Sequence, residues 1–165
     1  MKSILFAVAL GLATPVAAQA PADTAPTRLV FEEVVTMGPT QIIGDTPLGR
    51  RQRMPITGGT FKGEKLAGRV LPGADWQLVR ADGTITINAE YMIETDDKVQ
   101  IHVHNVGIVR LPKKDGDKFY MWAAPTFEAP IGRYDWLNQA IFVSKVEAAG
   151  DKDHPAARIL IYQVD

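Results

Sequence analysis

Two side chains in one short segment have the types and spacing for acid–base chemistry. Asp75 and Gln77 are two residues apart, so in a β-strand they share one face while Trp76 takes the other. A carboxylate on an inward face would lose its water, and its pKa would rise toward the range of a general acid or base. Alternatively, Asp75 accepts backbone N–H bonds from the tight turn at residues 72–74.

A phenol and an amide form the second candidate pair. Tyr91 falls in phase with Ile85 and Ile87, and Asn105 falls in phase with Ile101. On an apolar wall, a few such groups orient a small molecule or stabilise a developing oxyanion, but they also suit a hydrogen-bonded core pair. The candidate ligand-binding residues are therefore Asp75, Trp76, Gln77, Tyr91 and Asn105.

Two histidines raise the possibility of a metal site. His102 and His104 share a strand face opposite Asn105, and such a pair can hold one metal ion. A catalytic zinc site needs about three protein ligands, yet no carboxylate follows in residues 105–110 and His154 is distant. The sequence also has no cysteine, phosphate-binding loop or dinucleotide fingerprint. We therefore predict solvent-facing histidines, no metal and no cofactor.

Two further clusters admit more than one interpretation. Arg50, Arg51 and Arg53 either guard a pocket for an anion or hold a loop beside acidic neighbours. Aromatic residues late in the chain fit the core and a plug at a barrel end better than a sugar-binding platform. They are Trp122, Phe127, Tyr134 and Trp136.

The elements that must position these groups are β-strands. Apolar and polar residues alternate through residues 84–95 and again through 99–110, and Asp96-Asp97 makes the turn between them. Residues 38–50 hold three glycines and two prolines, which predicts a long loop, whereas Gly58-Gly59 predicts a bulge or a close backbone approach. Further strands are predicted at 29–37, 54–61, 66–71, 75–80, 119–124, 140–146 and 158–164, with a helical turn at 133–139. Eight to nine short strands predict an all-β fold, a single antiparallel β-barrel.

The N-terminal residues predict where the protein is located, and the overall charge bears on which partners it binds. Residues 1–20 combine a basic start, a short apolar run and Ala18-Gln19-Ala20, which predicts a signal peptide cleaved after Ala20 and a periplasmic or secreted protein. The apolar run is too short to span a membrane. Residues 21–27 are predicted to form a flexible leader, and residues 28–165 are predicted to form one β-barrel domain. A net charge of −1 disfavours nucleic acid as a partner.

Several sequence blocks resemble a known family, the domain of unknown function 3237, also called uncharacterised protein family 0311. The matching blocks are 55–61 with Gly63, 68–77, 82–83, 89–91, 101–105, 124–128 and 134–138. The resemblance covers nearly all of the chain that follows the predicted signal peptide at residues 1–20. The resemblance implies an antiparallel β-barrel and implies no activity.

Three functions are compatible with these observations. The first is binding of a small, largely apolar ligand inside the barrel by the five candidate residues, since barrels of about eight strands can hold one small ligand. The second is a cofactor-free acid–base enzyme, such as a cyclase, isomerase or lyase, that uses the same pocket. The third is a protein-interaction module that uses a sheet edge or residues 38–53.

Overall fold

The protein is an antiparallel barrel built from ten strands. The computed structural model describes residues 25–151 and 153–165; the predicted signal peptide and most of the predicted leader lie outside these ranges. The strands are β1 Thr27–Met37, β2 Gln41–Thr46, β3 Gly49–Gly63, β4 Ala67–Val70, β5 Gly73–Val79, β6 Ile85–Thr95, β7 Gln100–Arg110, β8 Tyr120–Glu128, β9 Ile141–Gly150 and β10 Pro155–Val164. A single 3₁₀ turn, η1, covers Asp135–Gln139.

The sheet closes on itself through the pairing of β1 with β3. Around the barrel the order is β1, β10, β9, β8, β7, β6, then β4 and β5, then β3. Strands β4 and β5 follow one another along β3 and occupy one position, so the closed barrel has eight positions. Strand β2 pairs with β3 alone among the described strands. The predicted single antiparallel β-barrel is confirmed.

The hairpin of β6 and β7 shows why these residues form the wall. Tyr91 pairs with Val103 and Ile93 with Ile101, and all four side chains are buried inside the barrel. Period-two alternation therefore places one series inward and the other outward. The predicted turn is confirmed, because the Thr95 N–H bonds the Val99 carbonyl across Asp96-Asp97.

One end of the barrel is closed by packed aromatic rings. Phe127 lies 5.8 Å from Phe31 and 5.0 Å from Phe142, measured between ring centroids. Turn η1 adds the buried Leu137, and the neighbouring Tyr134 is also buried. The predicted core and plug are confirmed for Phe127, Tyr134 and the partly buried Trp136. The prediction is wrong for Trp122, which faces outward and is exposed.

The predicted loop at 38–50 is wrong, because β2 and the start of β3 form a hairpin there. The Thr46 hydroxyl donates to the Gly49 carbonyl at 2.8 Å and closes the turn. Gly49 has φ +134°, and a side chain on it would collide with the Val79 carbonyl oxygen of β5. Glycine at position 49 therefore allows β3 and β5 to pack closely. The three arginines lie on β3 instead of in a loop, and Arg50 pairs with Asp45 at 3.1 Å.

The predicted close approach at Gly58-Gly59 is confirmed. Gly59 has φ +139°, and a Cβ there would collide with the carbonyl oxygen of Val34 on β1. The pairing of β1 and β3 also shifts register between Thr36 and Met37, opposite this segment. Among the described residues, no helix is long and apolar enough to cross a lipid bilayer.

Candidate functional site

A cavity of about 280 Å³ opens at the barrel end opposite the aromatic plug. Its wall is mainly apolar and includes inward side chains of β5, β6, β8 and β10. The polar groups of the wall are Gln52, Asp75, Gln77 and Glu147. An apolar wall with a few convergent polar groups is typical of a small-molecule site.

A larger cleft lies on the outer surface and has different chemistry. It measures about 540 Å³ and is lined in part by Glu32, Lys62 and Asp96. Lys62 and Asp96 are exposed there, so water screens any charge that a ligand would meet. The cavity at the barrel end is the better candidate because its wall is mainly apolar and its polar groups Asp75 and Gln77 are buried.

Asp75 is the best-oriented polar group of the cavity. Its Oδ1 accepts the backbone N–H of Asn88 at 2.9 Å, and its Oδ2 accepts Gln77 Nε2 at 2.6 Å. Gln52 Nε2 in turn donates to Gln77 Oε1 at 2.6 Å. Burial raises the pKa of the Asp75 carboxyl, and the two hydrogen bonds oppose that effect only in part.

The turn-cap alternative for Asp75 is therefore wrong. Its hydrogen bonds reach across to β6 and along β5 instead of to the amides of residues 72–74. What results is a desolvated carboxyl in a fixed orientation at the cavity wall. Burial favours the protonated form of such a group, and a protonated carboxyl can deliver its proton to a bound molecule.

Glu33 is a second interior carboxyl, and sequence reasoning missed it. Tyr91 donates its hydroxyl to Glu33 Oε2 at 2.6 Å, while Glu33 Oε1 has no hydrogen-bond partner among the described residues. Complete burial raises the pKa of Glu33 to about 7, and burial beside Glu33 raises that of Tyr91. The signal was present: Phe31, Glu33 and Val35 form one inward series on β1.

Asn105 is buried inside the barrel and does not line the cavity. It is buried on β7, and the Ser144 hydroxyl of β9 lies 3.5 Å from its Oδ1, which makes a weak bond. Ala89 is paired with both Asp75 and Asn105, so these two polar residues belong to one row across three strands. The interior therefore carries polar groups on several strands of the barrel.

The five predicted residues fall into three places. Asp75 and Gln77 line the cavity together, whereas Tyr91 and Asn105 are buried in the interior and are not part of its immediate lining. Trp76 lies on the outer face, 42% exposed, with the Arg53 guanidinium 5.7 Å from its ring centroid. The structure thus joins the tyrosine to a carboxylate that was not among the candidates.

The two histidines face outward, and both form hydrogen bonds with side chains of the neighbouring strand β6. His102 Nε2 lies 3.2 Å from Glu90 Oε1, and His104 Nε2 lies 2.6 Å from Asn88 Oδ1. Within residues 25–151 and 153–165, no group of three or more His, Asp or Glu side chains is placed to hold a metal ion.

Fold and cavity together define a small closed β-barrel with an apolar cavity and desolvated carboxyls inside. The family model described as "Protein of unknown function (DUF3237)" matches residues 26–164. The chain belongs to this family.

Known relatives agree with that assignment. The UPF0311 protein RPA1785 of Rhodopseudomonas palustris is 36% identical over 141 residues, which covers 78% of this chain and 92% of the relative. Its crystal structure has a TM-score of 0.77 and covers 87% of this chain and 100% of its own. A UPF0311 protein of Clostridium acetobutylicum is 36% identical over 127 residues, 69% of this chain and 80% of the relative.

A more distant relative carries a named activity. The "Hydroalkoxylation enzyme phnH" of Penicillium herquei is 28% identical over 111 residues, which covers 67% of each chain. A crystal structure of an enzyme from the same organism has a TM-score of 0.68 at 22% identity, covers 89% of this chain and 100% of its own, and shares the fold.

Proposed function

We propose that the protein binds a small, largely apolar organic molecule in the open cavity of the barrel. The observation that carries this proposal is the interior cavity of about 280 Å³ with a mainly apolar wall and an oriented Asp75–Gln77 pair. Apolar contacts would supply most of the affinity, and the carboxyl and amide would fix the orientation. Met37, Met54 and Met121 in the wall can adapt to ligands of different shape.

Blocking the cavity tests this proposal. Ala157 lines the cavity on β10, and Ala157→Phe would fill it with a ring. Ala124→Phe makes the same change at an exposed position of β8 and serves as the matched control. We expect small aromatic molecules to raise the melting temperature of the wild type and of the control but not that of Ala157→Phe. The reason is that a ligand that binds the folded form stabilises it. Equal responses from all three proteins would contradict the proposal.

Acid–base catalysis in the same cavity is a second candidate, favoured by the desolvated carboxyl of Asp75. The distant relative named a hydroalkoxylation enzyme supports this candidate. Hydroalkoxylation adds an O–H bond across a carbon–carbon double bond. In our proposal, protonated Asp75 gives its proton to one alkene carbon, a substrate hydroxyl attacks the other carbon, and the Asp75 carboxylate takes the hydroxyl proton. The acid is thereby regenerated and no cofactor is consumed.

An alkenyl phenol provides a direct assay. We expect 2-(3-methylbut-2-enyl)phenol to cyclise in the presence of the protein, with deuterium entering at carbon in D₂O. Asp75→Asn should lower the rate by about 10²-fold or more, since general acid catalysis typically contributes 10² to 10⁴. Glu90→Gln, which removes an exposed carboxyl, is the control. Full activity in Asp75→Asn would remove Asp75 as the acid.

We also propose that residues 1–20 direct export and are removed after Ala20. The basic start, the apolar run and the Ala-Gln-Ala end support this proposal. Intact-mass analysis of the protein from a secretion-competent bacterial host should give a chain that begins at Pro21. A full-length chain retained inside the cell would contradict it.

A further inference from the structure

The fully buried Glu33 carboxyl has hydrogen-bonding capacity that nothing in the described protein uses. Tyr91 holds Oε2 at 2.6 Å, and Oε1 is the one buried side-chain oxygen or nitrogen without a partner among the described residues. Folded proteins rarely leave such an atom unpaired, because burial takes away its water without replacement. The unpaired Glu33 Oε1 therefore indicates that a polar group of a bound molecule forms a hydrogen bond with it.

The strand register places Glu33 next to the cavity wall. Glu33 pairs with Ile159, and Ile159 pairs with Val146, whose side chain lines the cavity. On β1, the next inward residue toward the open end is Val35, which pairs with the cavity-lining Ala157. Glu33 therefore occupies the layer between the cavity and the aromatic plug.

We infer that Glu33 and Tyr91 form a second polar subsite in the layer directly beneath the cavity, and that this subsite binds a hydroxyl group of the ligand. This inference rests on the proposed small-molecule function and makes its ligand class narrower. The ligand is an apolar molecule with an alcohol or phenol group at the end that enters the barrel first.

The state of the carboxyl explains why a hydroxyl fits best. A protonated Glu33 offers Oε1 as a donor, whereas an ionised Glu33 offers it as an acceptor. Since the pKa of Glu33 is raised to about 7, both forms are present near neutral pH. A hydroxyl can accept from the first form and donate to the second. A ligand carbonyl could pair only with the protonated carboxyl, because it can only accept a hydrogen bond. A ligand ammonium would lose its hydration in this apolar surrounding, which costs free energy.

A matched pair of probes tests the subsite separately from the cavity. The probes are 2-naphthol and 2-methylnaphthalene, which have similar shape and differ in the hydroxyl. The double variant Glu33→Met/Tyr91→Phe removes both polar groups together and leaves no unpaired partner, so it should fold. We expect the preference for 2-naphthol, taken as the ratio of the two dissociation constants, to fall at least tenfold from wild type to double variant. The difference in hydration between the probes cancels in this comparison.

The possible results separate the two proposals. An unchanged ratio, with loss of both probes in Ala157→Phe, would overturn the subsite and leave the cavity function standing. Binding of neither probe to the wild type would overturn both. Infrared difference spectra add an independent measurement: 2-naphthol should shift the carbonyl stretch of protonated Glu33, and Glu33→Gln should abolish that band. A band that does not move would contradict direct contact.

Discussion

The two ends of the barrel use the same strands for different purposes. Strand β8 carries the buried Phe127 at the closed end and Met121 at the cavity, and both are inward residues of one alternating series. At the closed end, aromatic rings fill the interior around Phe127 and Leu137. At the open end, the wall of the cavity carries Asp75 and its amide partners Gln77 and Gln52.

The contrast is one of content, since packed rings fill one end whereas the other end has a cavity and buried polar groups. Packing at one end stabilises the whole closed sheet, so the other end can tolerate desolvated polar groups and a cavity. Glu33 is the exception, since it lies between the two regions and is fully buried. Variants in the three places should therefore differ in size of effect and in pH dependence.

The largest loss of stability is expected at the closed end. Phe127→Ala removes a buried ring that contacts Phe31 and Phe142, and it should lower the free energy of unfolding by about 3–5 kcal/mol. Ile131→Ala at the same end is the control, because Ile131 is 98% exposed and its loss should change stability by about 0.5 kcal/mol or less. Urea titration measures both. A small loss in Phe127→Ala would mean that the plug does not stabilise the barrel.

A pH-dependent effect of intermediate size is expected at Glu33. Its pKa is raised from 4.5 to about 7 in the folded state, so the stability that it contributes is full below pH 4.5 and is lost as the pH rises through 7. The loss should be on the order of 3 kcal/mol. Glu33→Gln cannot ionise, so it should gain stability relative to wild type between pH 4.5 and 8. Glu90→Gln, on the exposed face of β6, is the control. Parallel pH profiles of wild type and Glu33→Gln would contradict the raised pKa.

The sequence predicts the barrel well because alternation is a local signal. The series at 84–95 and 99–110 predicts both strands and their inward faces, including Tyr91 and Asn105. Partnership across the barrel is not local: Tyr91 meets Glu33, which is 58 residues away. The loop predicted at 38–50 fails for a related reason, since the close approach of β5 to Gly49 is a contact between residues about 30 positions apart.

The smallest change in stability is expected at Asp75, although that residue is buried too. In Asp75→Asn, Oδ1 can still accept from Asn88, and rotation of the Gln77 and Gln52 amides by 180° restores an acceptor for the new amide. The free energy of unfolding should therefore change by about 1 kcal/mol or less near neutral pH. Because burial raises the pKa of Asp75, the variant should gain relative to wild type as the pH rises. Thermal unfolding across a pH series, with Asp45→Asn as the exposed control, measures this. A loss as large as that of Phe127→Ala would mean that the open end stabilises the fold as much as the plug does, and the division between the two ends would be wrong.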